Sequence, residues 1–291
     1  RKDAASIDFV FNLCDEGFNN EATKELHVPA LLEMLGIRYS GGDPQCLAYC
    51  YDKSLIRGVA MEMGIPVPAA FSVAPEEVAY ISMPIDFPVI VKPNYGDSSV
   101  GITMDSVCYD VRQLEYAIAK VREATGFDRP VLVEQFLTGN DISVGIIGNP
   151  PESYAMLPVI EEDYSQLPEG LPRICGYEAK WDTESEYFKN IKSIPADLPQ
   201  ATIDFLNASC IRLFQRVGCQ DYARFDWRLD ANNTPRLLEV NPNPGWCWDG
   251  HLARMSELAG LSYADMLRDI LLACDERLRA AARVSAALKA A

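Results

Sequence analysis

Arg224, Asp226, Glu239 and Asn241 are spaced so that a hairpin would bring them to one point. If Tyr222 to Leu229 and Arg236 to Val240 are its arms, strand alternation puts Arg224 and Asp226 on one face and Phe225 and Trp227 on the other. On the second arm Glu239 and Asn241 share a face, and Leu238 and Val240 share the opposite one. Asp230-Ala231-Asn232-Asn233 supplies the turn. Folded so that Phe225 meets Val240 and Trp227 meets Leu238, the hairpin sets Asp226 opposite Glu239 and Arg224 opposite Asn241. Like charges directly across a strand pair destabilise a sheet, so something must offset them. Two carboxylates and an amide oxygen form an all-oxygen donor set that suits a hard cation such as Mg²⁺. Neutralisation by Arg224 with nothing bound meets the same need, and the hairpin alone leaves both readings open.

Lys92 closes the apolar run Phe87-Pro88-Val89-Ile90-Val91, a costly place for a charge unless an anion meets it. The Gly/Ser loop from Asn94 to Gly101, with Ser98 and Ser99, offers N–H groups and hydroxyls to phosphate oxygens. The same composition also makes an ordinary turn. The chain has no G-x-x-x-x-G-K-[ST] and no G-x-G-x-x-G, which disfavours P-loop and Rossmann folds. A carboxylate hairpin with a lysine-anchored Gly/Ser loop is a way to hold Mg-ATP without either.

The 26 basic and 42 acidic residues give a net charge of −16. Such a chain repels nucleic acid and anionic membranes, so neither is an expected partner, and any phosphate ligand must be small. Of nine cysteines, Cys46 and Cys50 are the nearest pair, and His27 and His251 are the only histidines. Zinc sites show two close ligand pairs; buried thiols in a reducing cytosol fit better, and a cytoplasmic location is expected. No apolar run approaches the roughly 20 residues of a membrane span, and no signal peptide is read at the start.

The elements that must position these groups read as α/β (α+β). Ile7 to Leu13 is a strand met almost at once, as if a domain were entered partway through, and an upstream segment is expected. A helix from Glu21 to Leu35, stopped by Gly36, and a strand Ile37-Arg38-Tyr39 complete a parallel unit. Helices at 44–51 and 53–63 precede the Lys92 strand. Asp110 caps a helix reaching Thr125, then come strands at Pro130–Phe136 and Asp141–Ile147, the second alternating as if wet on one face. Glu161 to Pro195 is charged, Pro-rich and poorly periodic, so part of it is expected to be a mobile loop. A helix at 198–217, the hairpin, and helices at 252–258 and 263–283 close the chain. At 291 residues two or three domains are expected, divided at 1–42 (partial N-terminal), 43–82 (linker helices), 83–139 (lid) and 140–291 (catalytic).

On these motifs the chain resembles the ATP-grasp superfamily and, within it, the D-alanine–D-alanine ligases. Asp52-Lys53 resembles the start of the family's linker helix. Val91-Lys92-Pro93 with Ser98-Ser99-Val100-Gly101 resembles its lysine strand and phosphate-covering loop. Glu134-Gln135-Phe136-Leu137 resembles the hinge whose backbone binds adenine, and Asp141 takes the place of the acid that holds the ribose. Tyr177-Glu178-Ala179-Lys180 resembles its lysine-bearing loop. Arg224-Phe225-Asp226 and Glu239-Val240-Asn241-Pro242-Asn243-Pro244-Gly245 resemble its catalytic and metal-binding strands. The resemblance implies an ATP-grasp fold with nucleotide between two mixed or antiparallel sheets. It implies two Mg²⁺ ions, or Mn²⁺, on Asp226, Glu239 and Asn241. Lys53, Lys92 and Lys180 would neutralise phosphate, and Arg224 with the Gly245 N–H would stabilise an oxyanion. It implies small-molecule carboxylate and amine substrates and allows a homodimer.

Departures fall in the substrate pocket. The family's first strand, with its orienting glutamate, has no counterpart, and Cys14 stands where a histidine is expected. Trp181 replaces a tyrosine, and Gly250 replaces a serine within Trp246-Cys247-Trp248-Asp249-Gly250-His251. Trp181, Trp248, Asp249, Gly250 and His251 are therefore the candidate substrate residues. Packing of Trp246 and Trp248 within their loop, and a structural His251 at a helix start, are the plainer readings. The expected function is an ATP-dependent carboxylate–amine ligase making a dipeptide or related amide through an acyl-phosphate. The alternatives are a ligase attaching an amino acid to another metabolite, or a silent nucleotide-binding module.

Overall fold

The computed structural model describes residues 6–15, 17, 19, 21–75, 77, 83–96, 99–126 and 128–290; Ser98 of the Gly/Ser loop lies outside them. β1 (Phe9–Val10) and β2 (Arg38–Tyr39) pair in parallel across α1 (His27–Leu35), as the strand–helix–strand rhythm predicts. α1 is shorter than expected. A 3-10 turn covers Ala22–Lys24, and Pro29, tolerated only in a first turn, fixes the α-helical start nearby. α2 (Pro44–Cys50) and α3 (Lys53–Glu62) each begin at an aspartate cap. Asp43 accepts from the Cys46 N–H at 2.8 Å and Asp52 from the Leu55 N–H at 3.0 Å.

The next sheet is antiparallel in the order β3 (Ala70–Val73), β6 (Val131–Gln135), β4 (Val89–Pro93), β5 (Val107–Cys108). α4 (Val111–Thr125), capped by Asp110 as expected, lays Leu114, Ala117, Ile118 and Val121 on Val89, Val91, Val131 and Val133. Alternation then turns Ile90 and Lys92 the other way, into a cleft.

The far wall of that cleft is a second antiparallel sheet in the order β10 (Lys192–Pro195), β9 (Ile160–Asp163), β7 (Asp141–Asn149), β11 (Tyr222–Leu229), β12 (Pro235–Asn241). β8 (Ser153–Met156) also pairs with β7. The alternation in Asp141–Ile147 predicts one wet face, yet Ile142 to Gly148 are all buried. α7 (Gln200–Val217) packs Leu206 and Leu213 against Ile142, Val144 and Ile146. On the other face α8 (His251–Leu258) and α9 (Tyr263–Ala290) bring Leu252, Met255 and Ile270 to Ile147. Gly145 lets α8 come this close, since a Cβ there would lie 3.0 Å from the Met255 side chain.

The charged segment 161–195 is more ordered than expected. It carries β9, β10 and two five-residue helices, α5 (Tyr177–Trp181) and α6 (Glu186–Asn190), too short to show helical periodicity. Ile174 and Tyr187 bury themselves with Ile90 and Val107 of the first sheet.

Asp221, fully buried, ties these layers together just before β11. Its carboxylate meets Arg277 of α9 at 2.8 Å through both Nε and Nη2, and accepts the Gly41 N–H beyond β2 at 2.9 Å. All nine cysteines are free thiols. Cys219 joins Cys46 and Cys50 in the core, its Sγ 3.7 Å from that of Cys46, and burial pushes the Cys50 and Cys219 thiols up. Among the described residues no helix is long and apolar enough to cross a membrane.

Candidate active site

The hairpin has the expected register over its charged half: Arg224 faces Asn241, Phe225 faces Val240 and Asp226 faces Glu239. Beyond Asp226 it departs. Trp227 pairs with Leu237, because a β-bulge adds one residue to β12. The Leu237 N–H is bonded to the Pro66 carbonyl at 2.9 Å and its side chain fills the core, so Leu238 turns out to line the cleft. Pro66 is 171 residues upstream, beyond the reach of local patterning.

The two carboxylates are balanced by separate cations. Arg224 forks Asp226, Nε to Oδ1 at 2.9 Å and Nη2 to Oδ2 at 2.8 Å. Lys53, placed at the first turn of α3 by the Asp52 cap, lies 2.9 Å from Glu239 Oε2. Asn241 Nδ2 bridges them, donating to Asp226 Oδ2 at 2.9 Å and Glu239 Oε1 at 3.3 Å. Burial alone would raise the Glu239 pKa, but Lys53, with Arg224 and Lys180, outweighs it and holds the carboxyl well below the usual range. Burial would lower that of Arg224, and Asp226 reverses this. Rotation of Asn241 about its terminal torsion replaces Nδ2 by Oδ1. The donor set then becomes all oxygen and fits Mg²⁺.

Across the cleft, Lys92 does not end its strand unpaired as sequence reasoning implies: Glu134 on β6 meets it at 2.7 Å, both buried. Lys53 also donates to the Gly96 carbonyl at 2.8 Å, at the edge of the Gly/Ser loop. Lys180, at the end of α5, lines the cleft and makes no ion pair among the described residues. Its loop is laced to the other: the Tyr177 N–H reaches the Ile102 carbonyl at 2.8 Å and Glu178 accepts the Met104 N–H at 3.0 Å. Gly176 permits this approach, since a Cβ would lie 2.8 Å from the Ile102 oxygen. Ser99 lines the same cleft.

Glu134 and Asp141 also line the cleft, whereas Gln135, Phe136 and Leu137 do not. Asp141 is held by Arg228 Nη1 at 2.9 Å and by the Tyr164 hydroxyl; Arg228 also donates to the Leu137 carbonyl at 2.7 Å and lies over the Phe136 ring. Arg228 escaped sequence reading, although its period-two spacing from Arg224 and Asp226 places it on their face.

Of the candidate substrate residues, His251 alone reaches the cleft among the described residues; Trp181, Trp248, Asp249 and Gly250 do not. Trp248 is 76% exposed. Trp246 packs between Phe11 and Tyr222, with ring centroids 5.6 and 5.0 Å away, so the packing reading holds for it and not for Trp248. Gly245 is exposed beside it and outside the lining. Two further groups were missed, Ser143 and Glu162. His251 Nε2 lies 3.0 Å from Glu162 Oε1 on β9, and Nδ1 lies 3.1 Å from Ser143 Oγ, which donates to Asp226 Oδ1 at 2.8 Å. Burial would raise the Glu162 pKa, but His251, Ser193 and Lys180 together lower it. The Asp141–Ser143 alternation could have flagged Ser143; Glu162 lay in a segment read as loop.

Two antiparallel sheets facing a cleft of lysines, with a carboxylate hairpin at its base, define an ATP-grasp fold. The family model "D-ala D-ala ligase C-terminus" matches residues 61–272. The D-alanine–D-alanine ligase of Bordetella pertussis is 31% identical over 284 residues, 96% of this chain and 82% of that protein. The ATP complex of the D-alanine–D-alanine ligase from Bacillus anthracis superposes with a TM-score of 0.70 at 23% identity, covering 96% of this chain and 82% of that one. The VanG D-Ala:D-Ser ligase from Enterococcus faecalis gives 0.72 at 24% identity, covering 92% and 73%. The chain belongs to the D-alanine–D-alanine ligase family. It is an ATP-dependent, ADP-forming ligase that makes a C–N bond between small molecules.

Proposed function

We propose that the cleft joins the carboxylate of one small molecule, an amino acid, to the amine of another through an acyl-phosphate. The strongest support is the meeting, in one cleft, of Lys53, Lys92, Lys180 and Arg224 with Asp226 and Glu239. Asp226, Glu239 and Asn241 would hold Mg²⁺, two ions with Mn²⁺ as a substitute, which would neutralise phosphate charge. Lys53, Lys92 and Lys180, with Ser98, Ser99 and the loop backbone, receive the ATP phosphates. The hinge Glu134–Leu137 and Asp141 receive the nucleoside. The substrate carboxylate attacks the γ-phosphorus and ADP leaves. The amine nitrogen then attacks the acyl carbon, phosphate leaves with the C–O electron pair, and a proton is released. Arg224 steadies the oxyanion, while the laced loops of Ser99–Ile102 and Cys175–Lys180 exclude water.

The ligases named above act on D-alanine with D-alanine or D-serine, so the acceptor differs even among the structural neighbours. Here Gly250 offers no hydroxyl and His251 enters the cleft, which favours an altered acceptor, including a metabolite other than an amino acid. The segments 1–42, 43–82, 83–139 and 140–291 are proposed as domains of a cytoplasmic protein that acts as a homodimer.

ADP release from Mg-ATP is the test, with single and paired amino acids of both chiralities and simple amines. Release that requires a carboxylate and an amine together is expected. ATP binding with no stimulation by any pair would refute the reading.

A further inference from the structure

We propose that Ser143, His251 and Glu162 form a brace that holds the Asp226 carboxylate in place for its cation. All three are positioning residues in this role, which rests on the metal assignment proposed above. The brace is a single file of hydrogen bonds. Ser143 Oγ donates to Asp226 Oδ1 at 2.8 Å, and His251 Nδ1 lies 3.1 Å from that hydroxyl. His251 Nε2 lies 3.0 Å from Glu162 Oε1, which accepts from Ser193 Oγ at 2.8 Å. Both ring nitrogens are engaged within the file, so His251 acts on the cleft through Ser143.

The fold fixes each link. Ser143 on β7 sits directly opposite Asp226 on β11 in the antiparallel ladder, so the two side chains rise side by side. His251 is the first residue of α8, and Leu252 and Met255 bury that helix on β7. Glu162 and Ser193 face each other across β9 and β10, and the Glu162 carboxylate is buried. Four elements thus meet behind one carboxylate.

Asp226 needs such a contact because its other partners have work elsewhere. Arg224 forks it, and Asn241 donates to Oδ2 at 2.9 Å. In the proposed function Asn241 must turn its oxygen toward the cation and Arg224 must meet an oxyanion, so both contacts change as the site fills. The terminal torsion of an aspartate is broad, and a carboxylate released by these two would swing. Ser143 has no duty toward phosphate or substrate, and its bond to Oδ1 can persist throughout. Partners that orient a ligating carboxylate in this way are worth roughly 10- to 100-fold in metal affinity.

The test is Mn²⁺ binding by the full chain saturated with a non-hydrolysable imido analogue of ATP, with free Mn²⁺ read by electron paramagnetic resonance. Analogue binding in EDTA and a melting curve are measured alongside. Ser143→Ala and His251→Phe should each weaken Mn²⁺ roughly 10-fold or more while analogue binding in EDTA is unchanged. Ser143→Thr, which keeps the hydroxyl, should hold near-native affinity. Links in series are not additive, so Ser143→Ala with His251→Phe should lose no more than Ser143→Ala alone. For the same reason Glu162→Gln should cost less in a His251→Phe background than in the native chain. Native Mn²⁺ affinity in Ser143→Ala, or additive losses in the double variant, overturns the brace and leaves the metal assignment standing. A native chain that adds no Mn²⁺ binding to that of the analogue alone overturns the metal assignment, and the brace with it.

Discussion

Replacing Glu239 by glutamine keeps the side chain's shape and removes one charge, and it should tighten ATP binding without metal yet cost turnover with it. The cleft lining carries Lys53, Lys92, Lys180, Arg224 and Arg228 against Glu134, Asp141, Glu162, Asp226 and Glu239, five charges of each sign. ATP adds roughly four negative charges, so without metal it enters a site with no surplus of cations. There Glu239 both repels phosphate and occupies Lys53 at 2.9 Å. Two charges about 6 Å apart at an effective dielectric near 20 interact by roughly 3 kcal/mol. With the Glu239 side chain 25% exposed, screening reduces this to roughly 2 kcal/mol, or about 30-fold in affinity. Glu239→Gln should therefore bind ATP more tightly in EDTA by calorimetric titration. With Mg²⁺ it should lose turnover by roughly 100-fold or more, since metal contributions run to several kcal/mol. Mild acid does not imitate the substitution, because Lys53 holds the carboxyl ionised well below its usual range. Weaker metal-free binding by the variant would refute the charge argument.

Removing Arg277 leaves Asp221 buried without its cation. Arg277→Ala should cost roughly 3 to 5 kcal/mol, nearer the lower figure because the Arg277 side chain is 23% exposed and water can enter. A urea midpoint shift at constant slope measures it, and a loss below about 1 kcal/mol would contradict the seam's role. Trp246→Ala should cost roughly 3 to 5 kcal/mol, while Trp248→Ala stays within about 0.5 kcal/mol; equal melting temperatures would contradict the packing described. Glu162, Asp230 and Glu239 all have lowered pKa values. A lowered folded pKa means stability is present above the unfolded value and lost as pH falls through the folded one. Urea midpoints should therefore drop below the usual carboxylate range near pH 4, and Glu162→Gln should flatten that drop. A gain in stability with acid would refute the assignment.

The charged half of the hairpin was legible because like charges opposite one another have few explanations, and the turn at Asp230 fixed the pairing. The Asp110 cap was equally local. What escaped was decided at long range. The bulge at Leu237 depends on the Pro66 carbonyl, and the second dry face of β7 depends on α8 arriving over Gly145. Glu162 and Arg228 acquire meaning only from His251, Asp141 and Leu137, brought to them by topology. The loop of Trp246 to Gly250 misled because aromatic residues beside a site look the same in sequence whether they face the cleft, the core or water.

On the proposed function, Asp226 and Glu239 serve chemistry beyond balancing the charges of Arg224 and Lys53. Its most direct test is Mg-dependent ADP release by the native chain and by Asp226→Asn, each with the most active carboxylate and amine pair, alongside ATP binding and a melting curve. The expected result is that the variant keeps its fold and binds ATP but releases ADP at least about 100-fold more slowly. Native-like turnover in Asp226→Asn would show that the hairpin is a salt-bridged structural element and that the metal assignment is wrong.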